Sequence, residues 1–143
     1  KTFHKIPDNP SVMNRLIISI GSNTSDRCER MAKALQWLSS TFHVIASSNI
    51  YETEEYHGRH APYFNCVICA ESNDADTVVI SMLKDFEHRQ GRTAESKATG
   101  LVPIDLDLMA FNGHTLRPQE FNRDYFLIGY REIIGSIKGS VPT

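Results

Sequence analysis

The sequence predicts an α+β fold in which helices pack on an antiparallel four-stranded sheet. Apolar runs of strand length recur at residues 16–20, 63–70 and 103–109, and a looser alternation covers 43–51. Two other stretches carry apolar residues at helical spacing, one after residues 16–20 and one after residues 63–70. The resulting order, β-α-β-β-α-β, is the split arrangement of a ferredoxin-like sandwich. A chain of 143 residues with 41% apolar and 22% charged residues has enough material for one globular core.

The elements follow in order. Residues 1–14 have no periodicity and contain Pro7 and Pro10, so they read as a flexible N-terminal arm, with 15–143 as a single domain. Leu16, Ile17, Ile18 and Ile20 form a buried strand that ends in a tight turn at Gly21-Ser22-Asn23. Thr24 or Ser25 can cap the helix that follows, and Asp26 and Glu29 suit its positive end. Cys28, Met31, Leu35, Leu38 and Phe42 give that helix its apolar face, with Trp37 half-buried at the side. Residues 43–51 form the second strand, with His43 at its surface end.

Residues 52–62 are polar, contain Gly58 and Pro62, and are long for a hairpin loop. Ordered loops of this length carry function more often than chance. His57 and His60 lie here with no helix to align them, so they read as surface residues ahead of metal ligands. In the third strand Tyr63, Asn65 and Val67 share a face. A ring beside a carboxamide can stack on a flat heterocycle and read its edge, or can simply pack across strands. Asn73 or Asp74 opens the second helix, whose stripe is Val78, Val79, Met82, Leu83 and Phe86 and whose end is Gln90-Gly91. Residues 92–102 read as a mobile loop. After the fourth strand, Asn112-Gly113 is a hairpin signal. Residues 114–122 are irregular, 124–133 hold a short helix, and 135–143 look frayed.

The fourth strand carries the chemistry. Alternate side chains of a strand point to opposite faces, so Asp105 and Asp107 share one face and Ile104, Leu106 and Leu108 the other. At about 3.3 Å per residue the acids lie roughly 7 Å apart along the strand. That pair can hold hard divalent ions against a polyphosphate, or can be a solvated acidic face.

Other features narrow the class. A formal charge of −2 argues against a broad nucleic-acid footprint. No apolar run is long enough to span a membrane, and no secretory leader pattern opens the sequence. Cys28, Cys66 and Cys69 make an odd set without a disulfide framework. Cys66 and Cys69 fall within one strand at an odd separation, so their thiols point to opposite faces and read as buried and inert. A reducing cytoplasm is the default compartment. No G-x-x-x-x-G-K-[ST] loop is present, so any nucleotide must be held another way.

Taken together, these motifs show a resemblance. Ile18-x-Ile20-Gly21-Ser22-Asn23, Tyr51-x-Thr53, Tyr63-x-Asn65, Glu87-x-x-x-Gly91-Arg92 and Ile104-Asp105-Leu106-Asp107-Leu108 stand in the order and at the separations of the 6-hydroxymethyl-7,8-dihydropterin pyrophosphokinases of folate biosynthesis. The chain resembles that family over residues 16–134. The resemblance implies transfer of the terminal diphosphate of ATP to the hydroxymethyl group of a reduced pterin, with two Mg2+ ions. It implies Asp105 and Asp107 as metal ligands and, with Arg92, as catalytic residues. It implies Thr53, Tyr63, Asn65 and Tyr125 on the pterin side, and Glu87, Arg92 and Arg123 on the nucleotide side. Small-molecule pterin and ATP would be the partners.

The sequence also departs from the family pattern. Ala94 and Val102 stand where the family carries arginines, and Leu101 where proline is usual. The segment between Asp107 and Tyr125 is short. Lys97 or Arg117 can supply the missing charge. Two other readings follow from the departures: a degenerate homologue that binds pterin or nucleotide without efficient transfer, and a ferredoxin-like interaction module.

Overall fold

The computed structural model describes residues 13–137. Its elements are β1 (Asn14–Ser22), α1 (Arg27–Thr41), β2 (His43–Ser47), β3 (Tyr51–Thr53), β4 (Tyr63–Ser72) and α2 (Asp76–Arg89). These are followed by α3 (Ala94–Thr99), β5 (Asp105–Phe111), β6 (His114–Thr115), α4 (Pro118–Phe121) and α5 (Asp124–Ile134). The strands form one six-stranded sheet in the order β2-β4-β1-β5-β6, with β3 also paired to β4. Every pairing is antiparallel.

The sheet is wider than the four strands expected, and local chemistry accounts for both additions. The stretch expected as one strand over 43–51 breaks at Ser48. The buried Ser48 hydroxyl accepts from the Val67 N–H at 3.0 Å, and Asn49 N–H donates to the Glu132 carboxylate at 3.0 Å. Side chains thus replace ladder bonds, and pairing resumes as β3 in the register Tyr51↔Asn65, Thr53↔Tyr63. At the other edge Asn112 (φ 51°) and Gly113 (φ 84°) both take positive φ, as a tight hairpin of the primed type requires. That turn folds β6 onto β5, inside a stretch expected to be irregular.

Side-chain alternation sorts the core into two layers. Leu16, Ile18 and Ile20 of β1 pack with Cys66, Ile68 and Ala70 of β4 and Leu106 and Leu108 of β5. Met31, Ala34 and Leu38 of α1 and Val79, Leu83 and Phe86 of α2 cover this face. Trp37 lies half-buried at its margin, stacked on Phe86 with ring centroids 4.5 Å apart. On the opposite face, Ile17, Val67, Cys69 and Met109 meet Phe126, Tyr130 and Ile133 of α5. Cys66 and Cys69 therefore do fall on opposite faces, both buried. Burial pushes the Cys69 thiol up to about 11.

Gly129 lets α5 lie close to the sheet. A Cβ there would meet Val67 Cγ2 at 2.7 Å and the Tyr51 hydroxyl at 2.8 Å. The face that carries α5 is covered only at one end, where Phe126, Tyr130 and Ile133 sit.

Several helix boundaries differ from expectation. The N-cap of α1 is Asp26, whose carboxylate is held by the Thr24 hydroxyl at 2.7 Å, in place of Thr24 or Ser25. Cys28 is exposed, and Ala34 takes its place in the buried stripe. The second helix begins at Asp76 with Ala75 as N-cap, because Ser72 and Asp74 close their own turn through mutual bonds of 3.0 Å. Val78 is 46% exposed. Its C-terminal end is as expected, with Gly91 at φ 98° one residue beyond the Gln90 cap.

The stretch 92–102, expected as a mobile loop, contains α3. Thr93 and Ser96 form a reciprocal capping box at its start, and Gly100 at φ 76° ends it. This helix buries no residue, so it leaves no apolar period to find.

Of the expected arm, Asn14 already belongs to β1, and residues 1–12 lie outside the described residues. Of the expected frayed tail, Ile137 is 7% exposed and packs in the second core layer, while residues 138–143 lie outside the described residues. Among the described residues no helix is long and apolar enough to cross a membrane.

Candidate active site

The uncovered end of the α5 face is polar. Sheet register lines up Tyr51, Asn65, Gly21 and Asp105 in one row across β3, β4, β1 and β5. The next row holds Val67, Ser19 and Asp107. Asp105 and Asp107 project from the same side of β5, as the period of two requires. At about 4.8 Å between neighbouring strands, the backbones of Asn65 and Asp105 lie roughly 10 Å apart with only Gly21 between them. Gly21 thus leaves open floor. A Cβ there would make ordinary contacts, 3.6 Å to Asn65 Oδ1 and 3.7 Å to Tyr63 Cδ2.

Above this floor is a cavity of about 600 Å³. Its walls include Thr53 of β3 and Tyr56 of the loop after it, Tyr63 and Asn65 of β4, Asp105 of β5, and Arg123 and Tyr125 at the start of α5. The amide nitrogen of Asn65 donates to Thr53 Oγ1 at 2.8 Å and to the Tyr51 carbonyl at 3.3 Å, which fixes the plane of the amide. The Tyr51 hydroxyl donates to the Tyr125 carbonyl at 2.5 Å and so ties the first turn of α5 to the sheet. Burial raises the pKa of Tyr63, and the nearby Asp105 charge adds to it. Burial pushes the Tyr125 phenol up as well, with Glu120, Asp107 and Asp105 adding to it. Both phenols stay neutral donors beside the acids.

A second cavity of about 520 Å³ lies on the other side of the acids. Lys84, Glu87 and His88 of α2, Arg92, Lys97 of α3, and Arg117 line it together with Asp105 and Asp107. Asp105 belongs to both cavities.

The carboxylates are held by a network of charges. Arg92 Nη1 donates to Asp105 Oδ1 at 2.5 Å and lies 3.4 Å from Glu87 Oε2. Glu87 is 5% exposed; its Oε2 accepts the Leu106 N–H at 2.6 Å and the Lys84 ammonium at 3.1 Å. Glu87 therefore clamps the backbone between the two aspartates and spaces the cations around them. Asp107 is 9% exposed, with Lys84 Nζ at 3.2 Å and Arg117 Nη1 at 3.8 Å. Burial raises the Asp107 pKa, and the Asp105 charge raises it further against the pull of Lys84 and Arg117.

These carboxylates fit a divalent ion. They are oxygen donors on one face, directed at shared space, and their mutual repulsion is what a bound cation would relieve. Among the described residues no group of three or more His, Cys, Asp or Glu stands ready as a metal cage. Further ligands would have to come from a substrate, which is how Mg2+ is usually held against phosphates.

The structure gathers Thr53, Tyr63, Asn65 and Tyr125 around the first cavity and Glu87, Arg92, Asp105 and Asp107 around the second. Arg123, expected on the nucleotide side, lines the first cavity, with its guanidinium 5.8 Å from the Tyr56 ring. Of the two cations suggested as replacements, both Lys97 and Arg117 reach the second cavity. Ala94 is exposed on α3. Val102 has its backbone bracketed by Asn23, whose Oδ1 accepts the Val102 N–H at 2.6 Å and whose N–H donates to the Val102 carbonyl at 3.1 Å. His57 sits edge-on to Tyr56 at 4.9 Å, and the His60 ring lies against Gly100.

Three residues that build the site were not singled out from sequence: Lys84, Tyr51 as an anchor for α5, and Gly21 as floor. Lys84 precedes Glu87 by three residues, so the two share a helix face, and that spacing is the available signal.

The α+β sheet thus carries two cavities that meet at the paired aspartates. The chain belongs to the 7,8-dihydro-6-hydroxymethylpterin-pyrophosphokinase family, whose sequence profile matches residues 17–135. It is 27% identical over 122 residues to the mitochondrial folate synthesis bifunctional protein of Pisum sativum, covering 81% of this chain and 24% of that protein. It is 25% identical over 141 residues to the 2-amino-4-hydroxy-6-hydroxymethyldihydropteridine pyrophosphokinase of Porphyromonas gingivalis, covering 88% of this chain and 95% of that enzyme. The crystal structure of Plasmodium falciparum HPPK-DHPS A437G with pteroate is similar over 73% of this chain and 29% of that one, with 14% identity and a TM-score of 0.49. The chain thus spans about a quarter of the bifunctional pea protein that it matches.

Proposed function

We propose that this protein transfers a diphosphate from ATP to the hydroxymethyl oxygen of a reduced 6-hydroxymethylpterin. The observation that carries this reading is the position of Asp105 on the boundary between the two cavities. The first cavity takes the pterin. Tyr63 and Tyr125 face its rings, and Asn65, oriented by Thr53, reads its edge. The second cavity takes the triphosphate, with Arg92, Lys97 and Arg117 against its oxygens.

The pterin hydroxyl oxygen attacks the β-phosphorus of ATP and loses its proton to solvent, the bond from that phosphorus to the α–β bridging oxygen breaks, and AMP leaves. Asp105 and Asp107 would hold Mg2+, which supplies neutralising charge for the phosphate oxygens. Asp105, fixed by Arg92, positions the hydroxymethyl group at the cavity boundary. Glu87 keeps the backbone between the aspartates in place. The work is positioning and charge neutralisation, with no strong base required. A reducing, cytoplasm-like compartment suits the two buried free thiols.

A second reading rests on the absence of charge at Ala94 and Val102: pterin and nucleotide bind, but transfer is slow. Loss of a cation aimed at developing phosphate charge typically costs about 10²–10³ in rate. Mixing the protein with Mg2+, ATP and 6-hydroxymethyl-7,8-dihydropterin and measuring AMP by chromatography separates the two. The first reading requires AMP that forms only when the pterin is present. Binding of both ligands without pterin-dependent AMP supports the second.

A further inference from the structure

The Lys84 ammonium has three N–H donors, and each has an oxygen within reach. Glu87 Oε2 is at 3.1 Å, the Leu106 carbonyl at 3.1 Å and Asp107 Oδ1 at 3.2 Å. Two carboxylate oxygens and a backbone carbonyl are the donor types that bind a hard cation. The set is built into the fold. Glu87 is buried and pinned by the Leu106 N–H, and Asp107 is nearly buried on β5. Lys84 thus sits against Asp107, which of the two aspartates is the one that lines only the second cavity.

We infer that Lys84 takes the place of one of the two divalent ions. On the reading that Asp105 and Asp107 face a metal nucleotide, this chain then engages a single divalent ion, held on the Asp105 side. The Lys84 ammonium and the Arg117 guanidinium neutralise the rest of the polyphosphate charge. An ammonium carries one unit of charge where the ion would carry two, and Arg117 Nη1, 3.8 Å from Asp107 Oδ1, supplies the second unit. The protein trades an exchangeable ion for fixed charges, which makes its phosphate site less dependent on free metal.

The test counts Mn2+ bound per chain by equilibrium dialysis, with saturating α,β-methylene-ATP. Wild type, Lys84→Gln and Lys84→Arg are compared, and their melting temperatures show that each is folded. The side chain of Lys84 is 47% exposed on α2, so glutamine is tolerated there. The inference requires one Mn2+ in wild type, two in Lys84→Gln, and one in Lys84→Arg, where a fixed positive charge is retained. Two ions in wild type overturn it and leave the metal-nucleotide reading standing. One ion in both wild type and Lys84→Gln overturns it in the same way. No bound Mn2+ in any of them overturns the metal-nucleotide reading itself.

Discussion

At the residue scale the site depends on which groups touch and which leave space. Asp107 is buried beside a like charge and is stabilised only by Lys84 and Arg117. Asp107→Ala removes the proposed ligand and leaves Lys84 with Glu87 and Arg117 with Glu120, and pterin-dependent AMP formation should fall by about 10² or more; turnover at the wild-type rate would exclude the proposed metal role. Gly21 acts by leaving space. Gly21→Ala adds a methyl group that touches Asn65 and Tyr63 at ordinary distances, so the melting temperature should hold while pterin affinity falls. Unchanged affinity would place the ligand elsewhere.

Tyr51 shows the same logic through pH. Burial raises its pKa from 10.0 to about 12, so the folded state favours the neutral phenol. Its contribution to stability is fully present below the unfolded value of 10.0 and is lost as pH rises toward about 12. Tyr51→Phe should therefore flatten the fall in stability over that window. An unchanged alkaline profile would contradict the assignment.

At the element scale the paired acids were legible because strand periodicity is strict. A spacing of two puts Asp105 and Asp107 on one face whatever else the chain does, and the same rule separated Cys66 from Cys69. Helices that bury a stripe were legible for the same reason. What escaped notice has no such periodicity: α3 buries nothing and is defined by its Thr93–Ser96 caps and Gly100, and the break at Ser48 depends on a side chain bonding to the distant Val67. Lys84 looked like any exposed helix lysine, because its partners lie on β5, beyond the reach of any local pattern.

Two measurements belong to this scale. Gly129→Ala forces a methyl group within 2.7 Å of Val67 and 2.8 Å of the Tyr51 hydroxyl, so α5 must shift. Chemical denaturation should show a loss of about 1–3 kcal/mol; no loss would mean that α5 packs less closely than described. Thr93→Ala removes the α3 cap and should cost about 1 kcal/mol or less, since this helix contributes no buried surface to the core.

At the scale of the whole molecule, one sheet face is divided between core and chemistry. α5 covers Ile17, Val67, Cys69 and Met109, and the other end of that face stays open around Gly21 and the aspartates. α1 and α2 seal the opposite face with Met31, Leu38, Val79, Leu83 and Phe86. Stability and site therefore use different side chains of the same strands. That is why a core pattern and an acidic motif can coexist in one run of residues at β5.

The central claim is that Asp105 and Asp107 couple the two cavities. Calorimetric titration of 6-hydroxymethylpterin, alone and then with Mg2+ and α,β-methylene-ATP, tests it directly. The account predicts measurable pterin binding that tightens several-fold once the metal nucleotide is present. Pterin affinity indifferent to the metal nucleotide, or no pterin binding under either condition, would contradict it.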